Sequence, residues 1–549
     1  MPTIDISRKK FVENTDTENT VEALNHTLSQ LGTDVEEITD ETITIELFPN
    51  RPDLLSRKGI ERNINGLRGD EGPYTLAVQE SEYEVRVDNA VSTVRPHTAC
   101  AVVKGLNLDS ERLEDLITLQ EKLHVTYGRR RSNCAVGIYP LNKIAFPITY
   151  SAGNVEEVKI QPLGHQEEMT ANEVLENTSK GKEFGHLIRD KIPFFIDATN
   201  KTLSIPPIIN DERTGKVTEK TREVFVECSG SDFQTVSTGL NIIVSHLQDL
   251  GGTVHEVKVK SSNIDVKTPI SVSDTLSFPV EKVRRILGNH VSDTEIESYL
   301  KKMQYAAEIE GETLHATPPP YRADILSSYD VIEDVAIGYS YTNIEPEKGS
   351  EHTEGRLDKF TAFENQVRES LIGCGLQELY TYSLCDGEKA TIIPGEKPVE
   401  LVSSVSKRFD SLRSSMLISH LDVFSRNEHH RYPQMFFEIG TVYEKVGDEV
   451  VERKELIISV SDSKTRFEDV ASMLSCVFED ISYDVGFEEG VSDPRFLPGR
   501  NSRIIDDIDD LGSLGDLHPE LLDAFDISMP VTVGIIDLSS LFERASDPK

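Results

Sequence analysis

The stretch PPPYRADILSSYDVIEDVAIGYSY, Pro318 to Tyr341, brings four carboxylates close together: Asp324, Asp330, Glu333 and Asp334. Oxygen-only donors in such numbers suit a hard cation such as magnesium, with waters completing its octahedron. The plainer reading is that they form the wet side of a helix whose first turn is acidic. Three adjacent arginines, Arg129, Arg130 and Arg131, are the densest positive cluster in the chain. Guanidiniums at a loop suit phosphate contacts, or else they pair with carboxylates of their own chain. Between Pro193 and Val259 no residue has the look of a nucleophile with a base beside it. Chemistry there would run through hydroxyls, backbone amides and a bound water rather than a Ser-His-Asp set.

These residues need elements to hold them. Prolines 318 to 320 force an extended approach, so a helix can start only after them. From about Ser327, Val331, Ile332, Val335, Ala336 and Tyr339 recur at helical spacing, which predicts a helix with Asp330, Glu333 and Asp334 together on the opposite face. Asp324 lies upstream, where the incoming loop could swing over that face. The arginines follow an amphipathic helix marked by Leu113, Leu116, Ile117, Leu119 and Leu123, then Gly128. Near the N-terminus ITIEL alternates like a strand. A turn then leads to Asp53 as N-cap of a helix striped by Leu54, Leu55, Ile60, Ile64 and Leu67. In residues 268 to 345, Pro279 opens one helix and Ser292 with Glu295 makes a capping box for a second, before the hairpin AAEIEGETLHA. Helix, helix, hairpin is also the outline of a winged helix, which keeps a DNA-binding regulator in view.

With 549 residues the chain is long enough for three or four domains. No apolar run approaches the roughly 20 residues of a membrane span, and no signal-peptide pattern is present. Six cysteines without a CxxC pair speak against a disulfide framework or a zinc ribbon and fit a reducing cytoplasm. The net charge of −38, from 95 acidic against 57 basic residues, is spread along the chain. Such a surface repels nucleic acid except at a local basic patch, and it suits high salt, where screening weakens self-repulsion.

The whole chain, from residue 1 to about 544, resembles the beta subunit of archaeal and eukaryotic-type phenylalanyl-tRNA synthetase. The resemblance is carried by FPNRPDLLSRKGIERNINGLRG, LQEKLHVTYGRRR, KGKEFGHLI, LSIPPIINDERTGKVTEKTREVFVECSGSD, the acidic stretch above, FFEIGTVYE and GSLGDLHPE, in the family's order and spacing. It implies a multidomain α+β fold: an N-terminal α/β segment (1–75), a tRNA-binding and editing domain (80–265), a small winged-helix-like domain with a metal site (268–345), and a C-terminal domain (355–549). That last domain would be a degenerate class II synthetase-like antiparallel-sheet domain lacking ATP-binding residues. Arg426-Asn427-Glu428 has the look of the family's ATP motif, but Leu417, His420, Leu421 and Phe424 put it at a helix end instead of on a strand.

The resemblance further implies a cytoplasmic ligase subunit that attaches phenylalanine to its tRNA only with an alpha subunit, in assemblies of two alpha and two beta chains. ATP and phenylalanine are bound mainly by alpha. Mg2+ is held at Asp324, Asp330, Glu333 and Asp334, shared with alpha. The editing domain hydrolyses mischarged tyrosyl-tRNA, because a pocket built for phenylalanine cannot strongly reject a ligand that only adds a hydroxyl. Ser204, Asn210, Glu227 and Ser229 are its candidate pocket residues, and Arg129 to Arg131 its tRNA contact. Tyr139-Pro140 and Glu227-Cys228-Ser229 stand where relatives commonly have His-Asp and Asp-x-Thr. Two rivals to this reading are a non-catalytic tRNA-binding or free-standing editing protein, and the winged-helix regulator.

Overall fold

The computed structural model describes residues 2–69, 71–261, 265–288, 291–346, 349, 353–490, 492–507 and 509–546. The chain forms two compact units, Met1–Lys348 and Gly349–Lys549. Among the described residues no helix is long and apolar enough to cross a membrane.

The first unit begins with a three-stranded antiparallel sheet whose middle strand, Thr42–Glu46, alternates as its sequence does, burying Ile43 and Ile45. The helix that follows runs Arg57–Arg68 and is capped by Ser56, whose Oγ accepts from the Gly59 amide at 3.1 Å. Asp53 is not the N-cap expected above. A short 3₁₀ turn, Pro52–Leu54, comes first, and Asp53 is buried there as the bidentate acceptor of Arg51.

The centre of this unit is an eleven-stranded sheet. Along its main path the strands run Ile209–Asn210, Thr202–Ile205, Ile192–Ile196, Ile148–Gly153, Glu84–Val87, Thr253–Lys260, His97–Lys104, Glu223–Gly230 and Cys134–Pro140. Helices Ser110–Val125 and Phe233–Asp249 supply the partners for one face. There Ala99, Ala101, Val103, Val224, Val226, Val136 and Ile138 meet Leu116, Leu119, Leu240 and Ile243. The alternate residues Cys100, Val102, Phe225 and Tyr139 pack on the other face with Tyr150, Phe195 and Leu203. Period-two alternation thus places Glu227 and Ser229 on the Phe225 face. The sheet curls until its ends meet, because Tyr139 on the last strand reaches Ser204 near the first, 2.7 Å away.

A small region of the same unit holds the strands Leu276–Pro279, Thr313–Thr317 and Ala306–Glu310 with the helices Glu281–Leu287, Asp293–Lys302 and Ser328–Tyr339. The Ser292–Glu295 capping box and the hairpin form as read. Pro279 closes a strand, with its helix beginning at Glu281, because Pro279 pairs with Thr313. Buried Arg62 ties the unit together: it pairs with Asp249 and lies 4.0 Å over the Tyr321 ring.

The second unit is built on a seven-stranded sheet ordered Gln377–Glu378, Gln434–Val446, Glu449–Ser461, Val531–Asp537, Asp510–Leu517, Phe496–Ile505 and Gly486–Glu489. Every pairing is antiparallel except the first. Helices Lys359–Gly373 and Phe467–Asp480 help to bury one face, and Leu417–Asn427 and Pro519–Ala524 the other.

Candidate functional site: a buried carboxyl at a closed sheet seam

Glu227 is paired with Cys100 on one side and with Gly137 on the other, so on the Gly137 side no side chain stands opposite its own. Into that gap comes Tyr139, whose hydroxyl lies 3.1 Å from Glu227 Oε1, 2.7 Å from Ser204 Oγ and 3.4 Å from Asn210 Oδ1. A Cβ at Gly137 would sit 2.3 Å from the Tyr139 hydroxyl and 2.5 Å from Glu227 Oε1. Only glycine leaves room for the meeting.

Glu227 is 2% exposed. Burial pushes its carboxyl up to about 8, against the opposing pull of the Tyr139 hydrogen bond and the Arg95 charge. Its Oε2 has no hydrogen-bond partner among the described residues. Glu227 and Asn210 form part of the wall of a cavity of about 440 Å³ between helix Ser110–Val125 and the Pro206–Asn210 turn. His124 and Arg131 line it as well. The His124 ring accepts from the Val136 amide at 2.9 Å through Nε2.

Of the four candidate pocket residues, then, only Asn210 and Glu227 reach the cavity. Ser204 stands behind them, joined through Tyr139. Ser229 is also withdrawn: it is fully buried, and its Oγ accepts from Arg95 Nε at 3.1 Å. The arginine triplet does not form a single patch either. Arg129, Arg130 and Arg131 have φ of 45°, 51° and 66°, a left-handed run that winds the loop and turns Arg131 inward. Its guanidinium donates to the carbonyls of Pro207 and Ile208 and to Glu121, and stacks 4.4 Å from the Phe184 ring centre. Arg129 and Arg130 remain exposed.

The acidic helix is also rearranged relative to its sequence pattern. Val331, Ile332, Val335 and Ala336 are buried as expected, but so is Asp334, at 1% exposure. Arg322 explains this, because its guanidinium reaches Asp334 Oδ2 at 2.8 Å while holding both oxygens of Asp324 at 2.8 Å. The Tyr305 hydroxyl donates to Asp334 as well. Asp330 accepts from the Leu326 and Ser327 amides and completes the cap of its own helix. Glu333 alone is exposed, and burial together with Asp334, Asp324 and Asp330 raises its pKa. Among the described residues no three His, Cys, Asp or Glu side chains converge as a metal cage. The oxygen donors fit a hard cation only as a water-rich site held by one or two carboxylates. Glu333, Asp324 and Asp334 lie on the wall of a second cavity of about 420 Å³, and of these Asp334 is taken up by Arg322 and Tyr305.

In the second unit Arg426 and Asn427 lie at the end of helix Leu417–Asn427, and the following Glu428 accepts from the Ser528 amide and hydroxyl. Tyr380, Val402 and Val405 are fully exposed and Tyr382 largely so.

Comparison with known proteins adds the family. A model described as the phenylalanyl tRNA synthetase beta chain CLM domain matches residues 348–538, and one described as the tRNA synthetase B5 domain matches 276–341. These two models mark a tRNA synthetase chain. The phenylalanine–tRNA ligase beta subunits of Thermococcus kodakarensis and Pyrococcus furiosus are 37% and 38% identical to it, over 90% of each chain. That of Archaeoglobus fulgidus is 35% identical over 94% of each. An N-terminal fragment of the Pyrococcus horikoshii beta subunit superimposes with a TM-score of 0.59 at 34% identity, covering 62% of this chain and all of the fragment. The chain belongs to the phenylalanine–tRNA ligase beta-subunit family.

Three functional positions escaped the sequence reading: Tyr139 as a hub, Gly137 as the gap, and Arg322 as the organiser of the acidic cluster. Arg322 had a signal. Arg51-x-Asp53 and Arg322-x-Asp324 share one spacing, and both close as bidentate pairs.

Proposed function

We propose that this chain is the beta subunit of a phenylalanine–tRNA ligase, supporting ATP-dependent attachment of phenylalanine to its tRNA together with an alpha subunit. The observation that carries this reading is family membership across nine-tenths of the chain. It favours the ligase over a DNA-binding regulator or a free-standing editing protein. The assembly is two alpha and two beta chains in the cytoplasm, with ATP and phenylalanine bound mainly by alpha. The Gly349–Lys549 unit serves as a degenerate class II domain, a scaffold and not a catalyst. The placement of Arg426 and Asn427 on a helix supports this. Exposed Tyr380, Tyr382, Val402 and Val405 are the kind of surface a large subunit interface covers. The 276–341 region is the small winged-helix-like domain, and magnesium binds at its acidic helix through Glu333 and Asp324, with further ligands from water and alpha.

The cavity at Glu227 is the proofreading site for mischarged tyrosyl-tRNA. Its support is the unpartnered Glu227 Oε2, a buried polar atom that the hydroxyl of tyrosine satisfies and phenylalanine leaves bare. Exposed Arg129 and Arg130 supply the tRNA contact. Mixing the purified chain with an alpha subunit tests the first reading, since phenylalanine charging should arise only on mixing. Charging by the chain alone would refute it. Deacylation of tyrosyl-tRNA bearing the phenylalanine anticodon tests the second, and should outpace that of the correctly charged species.

A further inference from the structure

The curled sheet closes through side chains. Strand Cys134–Pro140 ends one side of its path, strands Thr202–Ile205 and Ile209–Asn210 end the other, and the Tyr139 hydroxyl spans the seam. Around that one oxygen stand Ser204 Oγ at 2.7 Å, Glu227 Oε1 at 3.1 Å and Asn210 Oδ1 at 3.4 Å. A phenol has a single proton to donate, and Ser204, Glu227 and Asn210 all stand as acceptors of it, while Ser204, itself a hydroxyl, can donate back to the phenolic oxygen. Glu227 is buried and has no ion-pair partner among the described residues, and burial outweighs the Arg95 charge and the Tyr139 hydrogen bond. Its pKa of about 8 agrees. The Tyr139 hydroxyl donates to Oε1, so that oxygen is held by the seam and any further bonding of the carboxyl falls to Oε2. Oε2 is the Glu227 oxygen without a partner among the described residues.

We propose that Tyr139 is a positioning residue that holds Glu227 Oε1 and leaves Oε2 as a bare polar atom for the cavity, so that the site selects an aminoacyl side chain bearing a hydroxyl. The inference rests on the proofreading reading above. It goes further in assigning the selectivity to a residue that does not line the cavity. Gly137 supports it, since the space in which Tyr139 and Glu227 meet exists only because that position has no Cβ.

The test uses the chain assembled with its alpha partner. Hydrolysis rates of tyrosyl- and phenylalanyl-tRNA, both bearing the phenylalanine anticodon, are compared for wild type and Tyr139→Phe, which keeps the ring and deletes the hydroxyl. The variant should hydrolyse the tyrosyl species about tenfold more slowly while its phenylalanyl rate holds. A merely structural defect lowers both rates together. An unchanged ratio, with or without a common fall in rate, overturns the role given to Tyr139. If wild type hydrolyses neither species above background, it is the proofreading reading that fails, and this is read before any variant is made. Where Tyr139→Phe does not assemble, Ser204→Ala, which removes an acceptor of the phenolic proton, is read in the same way and decides.

Discussion

The Glu227 seam and the acidic helix both gather carboxyl groups at the wall of a cavity, and they solve the problem of burying them in opposite ways. At the seam a single carboxyl has hydroxyl and amide neighbours and no cation in ion-pair reach among the described residues, so it is kept neutral. At the helix one guanidinium, Arg322, holds two carboxylates, and Glu333 is left outside with their charges beside it. The first arrangement favours recognition of a neutral donor, the second attraction of a cation. At the seam burial outweighs a more distant arginine, whereas at the helix an arginine in pairing distance holds the carboxylates.

The sharpest way to break this contrast is to remove Arg322, whose side chain is 2% exposed. Arg322→Met would leave Asp334 charged and buried with only Tyr305 to serve it. A loss of about 3–5 kcal/mol is expected, visible as a large fall in thermal midpoint at neutral pH. A midpoint near wild type would mean that Tyr305 and solvent satisfy Asp334 without the guanidinium.

At the seam the opposite logic holds. The folded-state pKa of Glu227 is about 8 against an ordinary carboxyl value of 4.5, so between these values the folded chain holds a proton that the unfolded chain has released. Stability therefore falls as pH rises through that window and is fully present below it. Glu227→Gln, which carries no charge to bury, should flatten this dependence by a few kcal/mol between pH 5 and 8. Parallel denaturation curves for variant and wild type across that range would show the carboxyl to be ionised already.

A smaller effect belongs to Gly137→Ala. The added methyl would press on Tyr139 and Glu227 at 2.3 and 2.5 Å, costing about 1–3 kcal/mol through displacement. It should also lower the preference for tyrosyl- over phenylalanyl-tRNA. Wild-type stability together with wild-type preference would argue that the seam can widen freely.

Much of both regions was legible in the chain, because periodic burial writes itself into sequence. Ile43 and Ile45, Leu116, Leu119 and Leu123 of helix Ser110–Val125, and Val331, Ile332 and Val335 all lie inside as their spacing requires, whereas Ile117 of the same expected stripe is exposed and Leu113 half-buried. So does the local pattern at Ser292 and Glu295. What failed was direction without period. Asp334 sits at a polar position of its helix yet turns inward, because its partner arrives from the preceding loop. Arg131 follows two exposed arginines and turns in on a left-handed run that three arginines do not announce. The seam was the least legible, since it joins Tyr139 to Ser204 across 65 positions and exists only when the sheet has curled.

The least disruptive test falls on Glu333, the one exposed carboxylate of its cluster. Removing its charge by Glu333→Gln leaves the Arg322 pairs and the Asp330 cap intact, so stability should move by no more than about 0.5 kcal/mol. Relief from Asp334, Asp324 and Asp330 would even favour the variant slightly. Magnesium binding should respond quite differently, because a hydrated hard cation held by one or two carboxylates loses a main protein ligand when one becomes an amide. Calorimetric titration of the alpha-bound chain reads this directly: wild type should give a magnesium isotherm, and the variant should weaken it by at least about tenfold. Asp330→Asn is the control, costing about 1 kcal/mol of helix capping with a smaller change in the isotherm, since both backbone donors occupy that carboxylate already. Equal isotherms for wild type and Glu333→Gln would return the cluster to the role of a solvated helix face, and the two regions would then differ in charge alone and not in what they bind.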